Sequence, residues 1–542
     1  MSPLREVFDH LDAFIVQMMQ TYNTPGLIVA LTDRENLLRV SAYGYADLER
    51  GIPVTPDTLF ETGSDGKAFT ALALLKQVEA GRLDLHAPLS TYLPWFHVPS
   101  RYAPITAHHL LSHSAGLAYG TDFSPDGRYE VWALRDVEAP YPPGQHYYYS
   151  NVGYKVLGLL LEQLTGEPYG TVVQRDILDL LDMTLTEPVI THATRARLAV
   201  GYLPLYDDRP PHRTHPLVPA PWIETATGDG CVVSTVSDMA AYVRMLLNRG
   251  RGPHGPLISA ESFDRMTSPH SIMQPDDAYG YGLDMPVVDG HAYLMHGGMM
   301  PGYWSTWRAD RDSGLAAVAL MNGPFAPGVP VYAVQLLRAL FEHRDPPAPT
   351  LPDPTRVSNA ADYAGTYHLC DPSSDPDRNR TLTLATDGER LILDDGGERL
   401  VLEDRGDDTF YVPHPDFALF LLRFGRSGAH VVEAFHGPDW YVNAQYDGPT
   451  TVAHPPDWLA YPGHYRAHNP WRTNFRIVLR KGALLLIEPS GDEEPVTALE
   501  PDIFRVGADD YSPERLRFGT IVDGYALRAR ASSCDYYRFF TP

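Results

Sequence analysis

The sequence predicts an α+β fold. An antiparallel sheet is built from the two ends of a long first domain, with flanking helices and a helical lobe, and two small antiparallel β-barrel domains follow. Three observations predict it. Strand-like runs stand at both ends of residues 1–345, with helical texture between them. A proline-rich spacer, His343 to Pro354, then interrupts the chain with the composition of a semi-rigid linker. Beyond it come short alternating runs cut by Gly and Asp turns, and these runs repeat.

At 542 residues the chain exceeds a single core, and its 44% hydrophobic content supplies ample material to bury. Met1 to Gln20 reads as an amphipathic helix carrying Glu6, Asp9 and Asp12, without the basic start of a leader peptide. Two strands, Gly26 to Leu31 and Leu37 to Tyr45, form a hairpin. A helix over 61–82 follows, ended by Gly81, with Phe69, Leu72, Leu75 and Val78 at helical spacing. Further helices run from Tyr154 to Thr165, closed by Gly166, and from Ser237 to Asn248, capped by Ser237-Asp238. Strands return at Tyr279 to Val288, Ala292 to Gly297, Tyr303 to Asp310 and Leu315 to Asn322, before a helix from Val329 to His343.

The late strands are Thr381 to Leu384, Leu391 to Leu393, Phe410 to Val412, Phe417 to Phe424 and His430 to Phe435. A second break, His454 to Trp458, precedes another such set. Asp362-Tyr-Ala-Gly-Thr-Tyr367 recurs as Ala460-Tyr-Pro-Gly-His-Tyr465, Asp408 to Val412 echoes in Asp502 to Val506, and Leu422-Arg-Phe424 in Leu516-Arg-Phe518. The repeat predicts two barrels, 356–453 and 457–542.

The net charge of -25 argues against nucleic acid and anionic membrane as partners. No apolar run approaches the roughly 18 residues of a membrane span. Three scattered cysteines, Cys231, Cys370 and Cys534, fit neither a disulfide framework nor a zinc cluster. The expectation is a cytoplasmic protein without metal or cofactor; homo-oligomerisation is left open.

The chemistry concentrates first in Gly63-Ser64-Asp65-Gly66-Lys67. Ser64 and Lys67 share a helix face, so the lysine amine can take the serine proton. The chain has only four lysines, leaving 39 of its 43 basic residues as arginine. Arginine stays charged, whereas a buried lysine can lose its proton. Taken alone, a serine cap and a solvated lysine account for the same residues.

Tyr149 and Asn151 flank Ser150 on a turn before a helix. Tyr149 can act as a second acid/base, its phenol pKa lowered by a neighbouring cation, while Asn151 can hold Lys67 or a substrate amide. An aromatic cluster with an Asn cap is the alternative. Met295-His-Gly-Gly-Met-Met-Pro-Gly302 reads as a strand beside the serine, its glycines admitting a substrate backbone and its N–H completing an oxyanion hole. A strand-end turn with a solvated histidine is the alternative there. His109 and His113 stand four apart, but no carboxylate joins them, and structural roles are expected.

Together, Ser-x-x-Lys, Tyr-x-Asn and His-x-Gly, in this order and spacing, resemble the serine β-lactamase and penicillin-binding-protein superfamily over roughly residues 5–342. The stretches Ile105 to Leu117 and Gly230 to Asp238 resemble that family's text as well. The resemblance implies a β-lactamase-like sheet with Ser64 as nucleophile, Lys67 as base and Tyr149 as proton shuttle. Asn151, His296, Gly297 and Gly298 would contact substrate, and the N–H groups of Ser64 and Met299 would form the oxyanion hole.

His296-Gly297-Gly298 replaces the family's Lys-Thr-Gly, which points from lactams toward the D-aminopeptidase and esterase branch, whose domain plan also ends in two β-barrels; the first barrel here, 356–453, is expected to be lipocalin-like. The function so implied is an aminopeptidase or amidase for small, D-configured amino-acid amides and peptides, with esterase activity. A carboxypeptidase, a broad esterase or an acylating binding protein without turnover are the alternatives. Ala467 to Asn474 is the candidate barrel loop for covering the site.

Overall fold

Gly26-Leu-Ile-Val-Ala-Leu-Thr32 carries no charged side chain, so it must be covered on both faces. In the computed structural model, which describes residues 3–120, 127–349, 351–370, 381–532 and 534–539, this run is a strand buried at every position. The chain divides into two units. Unit 1 takes residues 1–205 and 216–351; unit 2 takes 206–215 and 352–542.

In unit 1, helix α1 (Pro3–Tyr22) precedes strands β1 (Gly26–Thr32), β2 (Leu37–Asp47) and β3 (Ile52–Pro53). Helices α2 (Gly66–Glu79), α3 (Asn151–Thr165) and α4 (Val236–Leu247) follow. Strands β4 (Val287–Val288), β5 (His291–Met300), β6 (Tyr303–Asp310) and β7 (Ala316–Met321) lead to helix α5 (Val329–Phe341). The sheet order is β4-β5-β6-β7-β1-β2-β3, and β1 pairs antiparallel with β7, joining the two ends of the unit. Helices α1 and α5 cover one face, where Phe14 meets Tyr332 at 4.6 Å between ring centroids. Tyr242 of α4 stacks on Phe69 of α2 at 4.7 Å.

Three local expectations are corrected. The helix expected over 61–82 is split: Phe60–Glu61 pairs as a strand with Val233–Ser234, Gly63–Asp65 is a 3₁₀ turn, and only 66–79 is α-helix. Gly63 is the cause, because its φ of +53 breaks helical continuity and its bare Cα abuts Met299, whose backbone N an added Cβ would approach to 2.7 Å. Tyr279 to Val288 is not one strand: it contains Pro286, which has no N–H for a ladder, and strand survives only at 277–279 and 287–288. The caps also differ. Thr235, not Ser237, accepts from Asp238 N at 3.2 Å, and Ser150, not Asn151, caps α3 through Gly153 N at 3.1 Å. That second difference leaves the Asn151 amide available.

Unit 2 holds two barrels. In the first, nine strands pair the first (Gly365–Leu369) with the last (Asp439–Val442), and the edges are the fourth (Glu398–Val401) and fifth (Glu403–Gly406). It is nearly closed. In the second, eight strands close fully when Gly463–Arg466 pairs with Cys534–Phe539. Phe417 to Leu421, expected as strand, is a 3₁₀ turn at Pro415–Phe417 and loop before Leu422–Ser427.

The repeat is physical. Tyr367 donates to Tyr363 O at 3.0 Å, and Tyr465 donates to Tyr461 O at 2.7 Å. Phe410 and Phe424 lie 5.6 Å apart, Phe504 and Phe518 5.5 Å. Residues 206–215, an excursion out of unit 1, pack within unit 2: Asp207 meets Arg466 at 2.5 Å, and Arg213 meets Glu403 at 2.7 Å. The candidate loop 467–474 is tied down inside unit 2, where buried Asn469 meets the Tyr536 hydroxyl and Asn474 donates to Asp207 O.

Candidate active site

Ser64 sits in the 3₁₀ turn and Lys67 in the first turn of α2, which brings Lys67 Nζ to 3.0 Å from Ser64 Oγ. The ammonium also meets Asn151 Oδ1 at 2.7 Å and Asp229 O at 2.6 Å. Lys67 is fully buried (0% exposed) and Ser64 is partly accessible. The three acceptors are neutral oxygens, so no carboxylate touches the lysine. Burial pushes its pKa down to about 7; the charge of Lys155 adds to this, while Asp229 and Asp65 oppose it. The solvated-cation alternative is thereby removed.

Tyr149 faces Ser64 from the turn before α3 and lies under Lys67, whose Nζ is 4.9 Å from its ring centroid. The expected lowering of its phenol pKa is corrected: burial drives it well above the ordinary value. A cation over the ring face stabilises through the π cloud without reaching the hydroxyl. His113 holds the turn. Its Nδ1 accepts from Ser150 N at 3.1 Å, its carbonyl accepts from Tyr148 N at 2.7 Å, and its ring lies 4.2 Å from that of Tyr149. His109 instead completes a capping box with Thr106. Among the described residues, the two groups with metal-ligand geometry, His291–Asp310–Asp312 and Asp395–His414–Asp416, include neither histidine and no site residue.

Strand β5 supplies the opposite wall. Its two-residue turn to β6 pairs Met300 with Tyr303 and Met299 with Trp304. Alternation along an antiparallel ladder then turns the Met299 N–H away from β6, toward Gly63 and Ser64. Gly297 is exposed, and an added Cβ would find its nearest neighbour at 3.5 Å. Gly298 is different: a Cβ would fall 1.8 Å from Thr62 O, so this glycine serves the chain's own packing and not a substrate. His296 is also corrected as a direct contact. It is 3% exposed, its Nδ1 donates to Gly297 O at 2.7 Å and its Nε2 accepts from the Tyr279 hydroxyl at 3.2 Å. Burial, aided by Lys67, pushes its pKa down to about 3, so the ring is neutral and cannot clamp a carboxylate by charge.

Several members of the site escaped sequence reasoning. Asp65 is 1% exposed, accepts from Ser305 Oγ at 2.6 Å and Trp307 Nε1 at 3.1 Å, and burial raises its pKa to about 7 despite those bonds. Asp229 receives Thr227 Oγ1 at 2.6 Å while its carbonyl holds Lys67. Lys155, one turn beyond Asn151 on α3, is buried against Glu130 at 2.5 Å. The scarcity of lysine was the one signal that pointed to Lys155. The site brings a serine hydroxyl, a lysine of near-neutral pKa and a protonated phenol to one place beside the Met299 strand, groups of the kinds that acyl transfer uses.

Comparison with known proteins follows the same lines. The Beta-lactamase family model matches residues 11–340. "Penicillin-binding protein 4" of Amycolatopsis lactamdurans is 29% identical over 369 residues, covering 64% of this chain and 93% of that protein. The octameric penicillin-binding protein homologue from Pyrococcus abyssi superposes with a TM-score of 0.58 at 24% identity, over 80% of this chain and 99% of the other. The penicillin binding protein from Bacillus halodurans does so with a TM-score of 0.51 at 23% identity, over 62% and 99%. These two likenesses are likenesses of fold.

Proposed function

Since this chain belongs to the Beta-lactamase family, we propose that it hydrolyses its substrate through an acyl-enzyme on Ser64, in a catalytic domain of residues 1–345 followed by barrels 356–453 and 457–542. The observation that carries this reading is Lys67 Nζ, buried 3.0 Å from Ser64 Oγ among neutral acceptors. Neutral Lys67 takes the Ser64 proton as Oγ attacks the carbonyl. The oxyanion is met by the N–H groups of Ser64 and Met299. Tyr149, a phenol at working pH, donates to the departing nitrogen or oxygen and is reprotonated from Lys67. Asn151 holds Lys67, and Gly297 leaves room for substrate backbone. Water then repeats the sequence on the acyl-enzyme.

The substrate we favour is a small amino-acid amide or peptide with a free amino group, D-configured, with activated esters also turned over. A neutral, buried His296 in place of a cationic clamp supports an aminopeptidase over a carboxypeptidase. The test uses p-nitroanilides of D-Ala and L-Ala, and p-nitrophenyl acetate, with wild type and Ser64→Ala. Hydrolysis of the D-anilide and its loss in the variant are expected. Retained activity in Ser64→Ala would overturn the mechanism, ester-only activity would overturn the peptidase reading, and a stoichiometric burst would point to an acylating binding protein.

A further inference from the structure

Glu61 lies three residues before Ser64, on the short strand that feeds the serine turn. It is 4% exposed, and among the described residues its carboxyl has no hydrogen bond and no ion pair. A buried carboxylate without a partner is costly, and such a group calls for an explanation. It lines a cavity of about 580 Å³ together with Tyr303, Arg195, Trp222 and Asp47. Tyr303 follows Met299 by four residues, so both chain segments that flank Ser64 run into this cavity wall.

The groups near Glu61 are already committed elsewhere. The Tyr303 hydroxyl donates to Ala199 O at 2.7 Å and accepts from Gly201 N at 3.1 Å. Arg50 sits 3.6 Å from Asp47, and Arg195 lies over the Trp222 ring at 5.3 Å. Trp222 Nε1 donates to Glu224. What remains, although Arg50, Arg195 and His192 also line the cavity, is a Glu61 carboxyl without an ion pair of its own, below walls of Leu198, Pro219 and Ala220. A metal ion would need several more oxygen ligands than Glu61 offers. An ammonium on a short aliphatic body needs one carboxylate and an apolar wall. Burial, with no partner to oppose it, raises the Glu61 pKa to about 8, as expected for a carboxyl awaiting its counter-charge.

We propose that this cavity is a binding site for a primary ammonium group carried on a small amino-acid amide, with the Glu61 carboxylate as its counter-ion. Its link to catalysis, as the subsite for the free amino group of the acyl-side residue, rests on the aminopeptidase reading above; the binding itself does not.

Binding is measured in the Ser64→Ala protein, where turnover cannot interfere, by calorimetry and by Trp222 fluorescence against a Trp222→Phe control. The probes are D- and L-alaninamide and N-acetylalaninamide. Both alaninamides are expected to bind, and acetylation, which removes the charge, is expected to weaken binding at least about tenfold. Glu61→Gln should weaken the alaninamides by a similar factor and leave the acetylated probe unchanged. Equal affinity for free and acetylated probes would overturn the proposal without recourse to any Glu61 variant. The two readings fail separately. Turnover of p-nitrophenyl acetate without alaninamide binding sinks this site alone, and binding without acylation of wild-type Ser64 sinks the hydrolase reading alone.

Discussion

Glu61 in unit 1 and Glu403 in unit 2 are both buried glutamates, yet their surroundings drive them in opposite directions. Burial raises both. At Glu403, hydrogen bonds from His212 Nε2 at 3.1 Å and from two Arg213 nitrogens at 2.7 Å outweigh it and hold the carboxyl down to about 2. At Glu61 nothing opposes burial. The contrast extends beyond this pair. Unit 2 matches its charges, Lys481 with Glu433 at 2.7 Å and Arg472 and Arg480 each with a glutamate. Around Ser64, Lys67 is given only neutral oxygens, and Asp65 only neutral donors. Paired charge serves to hold barrels together. Unpaired buried charge brings protonation equilibria near neutral pH, where a proton can be exchanged during turnover.

The largest effect that could break this comparison is at Lys67. Lys67→Met is expected to lower kcat/KM for p-nitrophenyl acetate by on the order of 10⁴-fold. The melting temperature should hold or rise, because a buried lysine with a depressed pKa opposes folding whenever it is charged. Initial rates and calorimetry on the same preparation decide it. A loss of only a few fold would make Lys67 a structural cation like those of unit 2.

Glu403→Gln should do the reverse. It strands Arg213 and His212, and unit 2 should lose about 2 kcal/mol, below the full figure for breaking a buried pair because Arg213 is 37% exposed. Denaturant titration should show an earlier midpoint, with kcat per folded molecule unchanged.

How far the sequence revealed this contrast depends on distance along the chain. Ser64 and Lys67 were legible because three-residue spacing fixes their geometry locally. The barrel repeat was legible because Tyr363/Tyr461 and Tyr367/Tyr465 mark equivalent turns. Asp229 and Glu130 were not, since one reaches the site from a turn and the other from the short helix Gly127–Ala133, and no local pattern encodes where either is placed. Gly297 and Gly298 read alike as letters; only the register against Thr62 separates an open position from a filled one. The excursion 206–215 fell inside the expected first domain, 1–345, although its partners are Glu403 and Arg466. Nine strands against eight was likewise beyond reach, because barrel closure is a property of pairing and not of composition.

Acid should separate the two regions again. The Lys67 pKa is below its unfolded value, and the neutral form is the base, so kcat/KM should rise with pH through an apparent pKa of about 7. The Glu403 pKa is also below its unfolded value, so its contribution is intact above about 4.5 and lost as pH falls toward about 2. Activity should therefore vanish reversibly near pH 5, while circular dichroism still reports folded barrels. Loss of both together would mean that the pH-rate profile reports unfolding.

The smallest effect tests whether a paired charge can still influence an unpaired one. Lys155 is matched by Glu130 at 2.5 Å, in the manner of unit 2, yet it stands one helical turn from the Asn151 that holds Lys67. Its charge pushes Lys67 down, and Glu130 does not rank among the groups that oppose it. Removing the pair by Lys155→Met with Glu130→Gln avoids stranding either charge. The acidic limb should then move up by about half a pH unit, since less positive potential resists protonation of Lys67. In rates, that is roughly a threefold loss at pH 6 and no change at pH 9. An unmoved limb would show that Glu130 screens Lys155 completely, leaving burial, opposed by Asp229 and Asp65, to set the base.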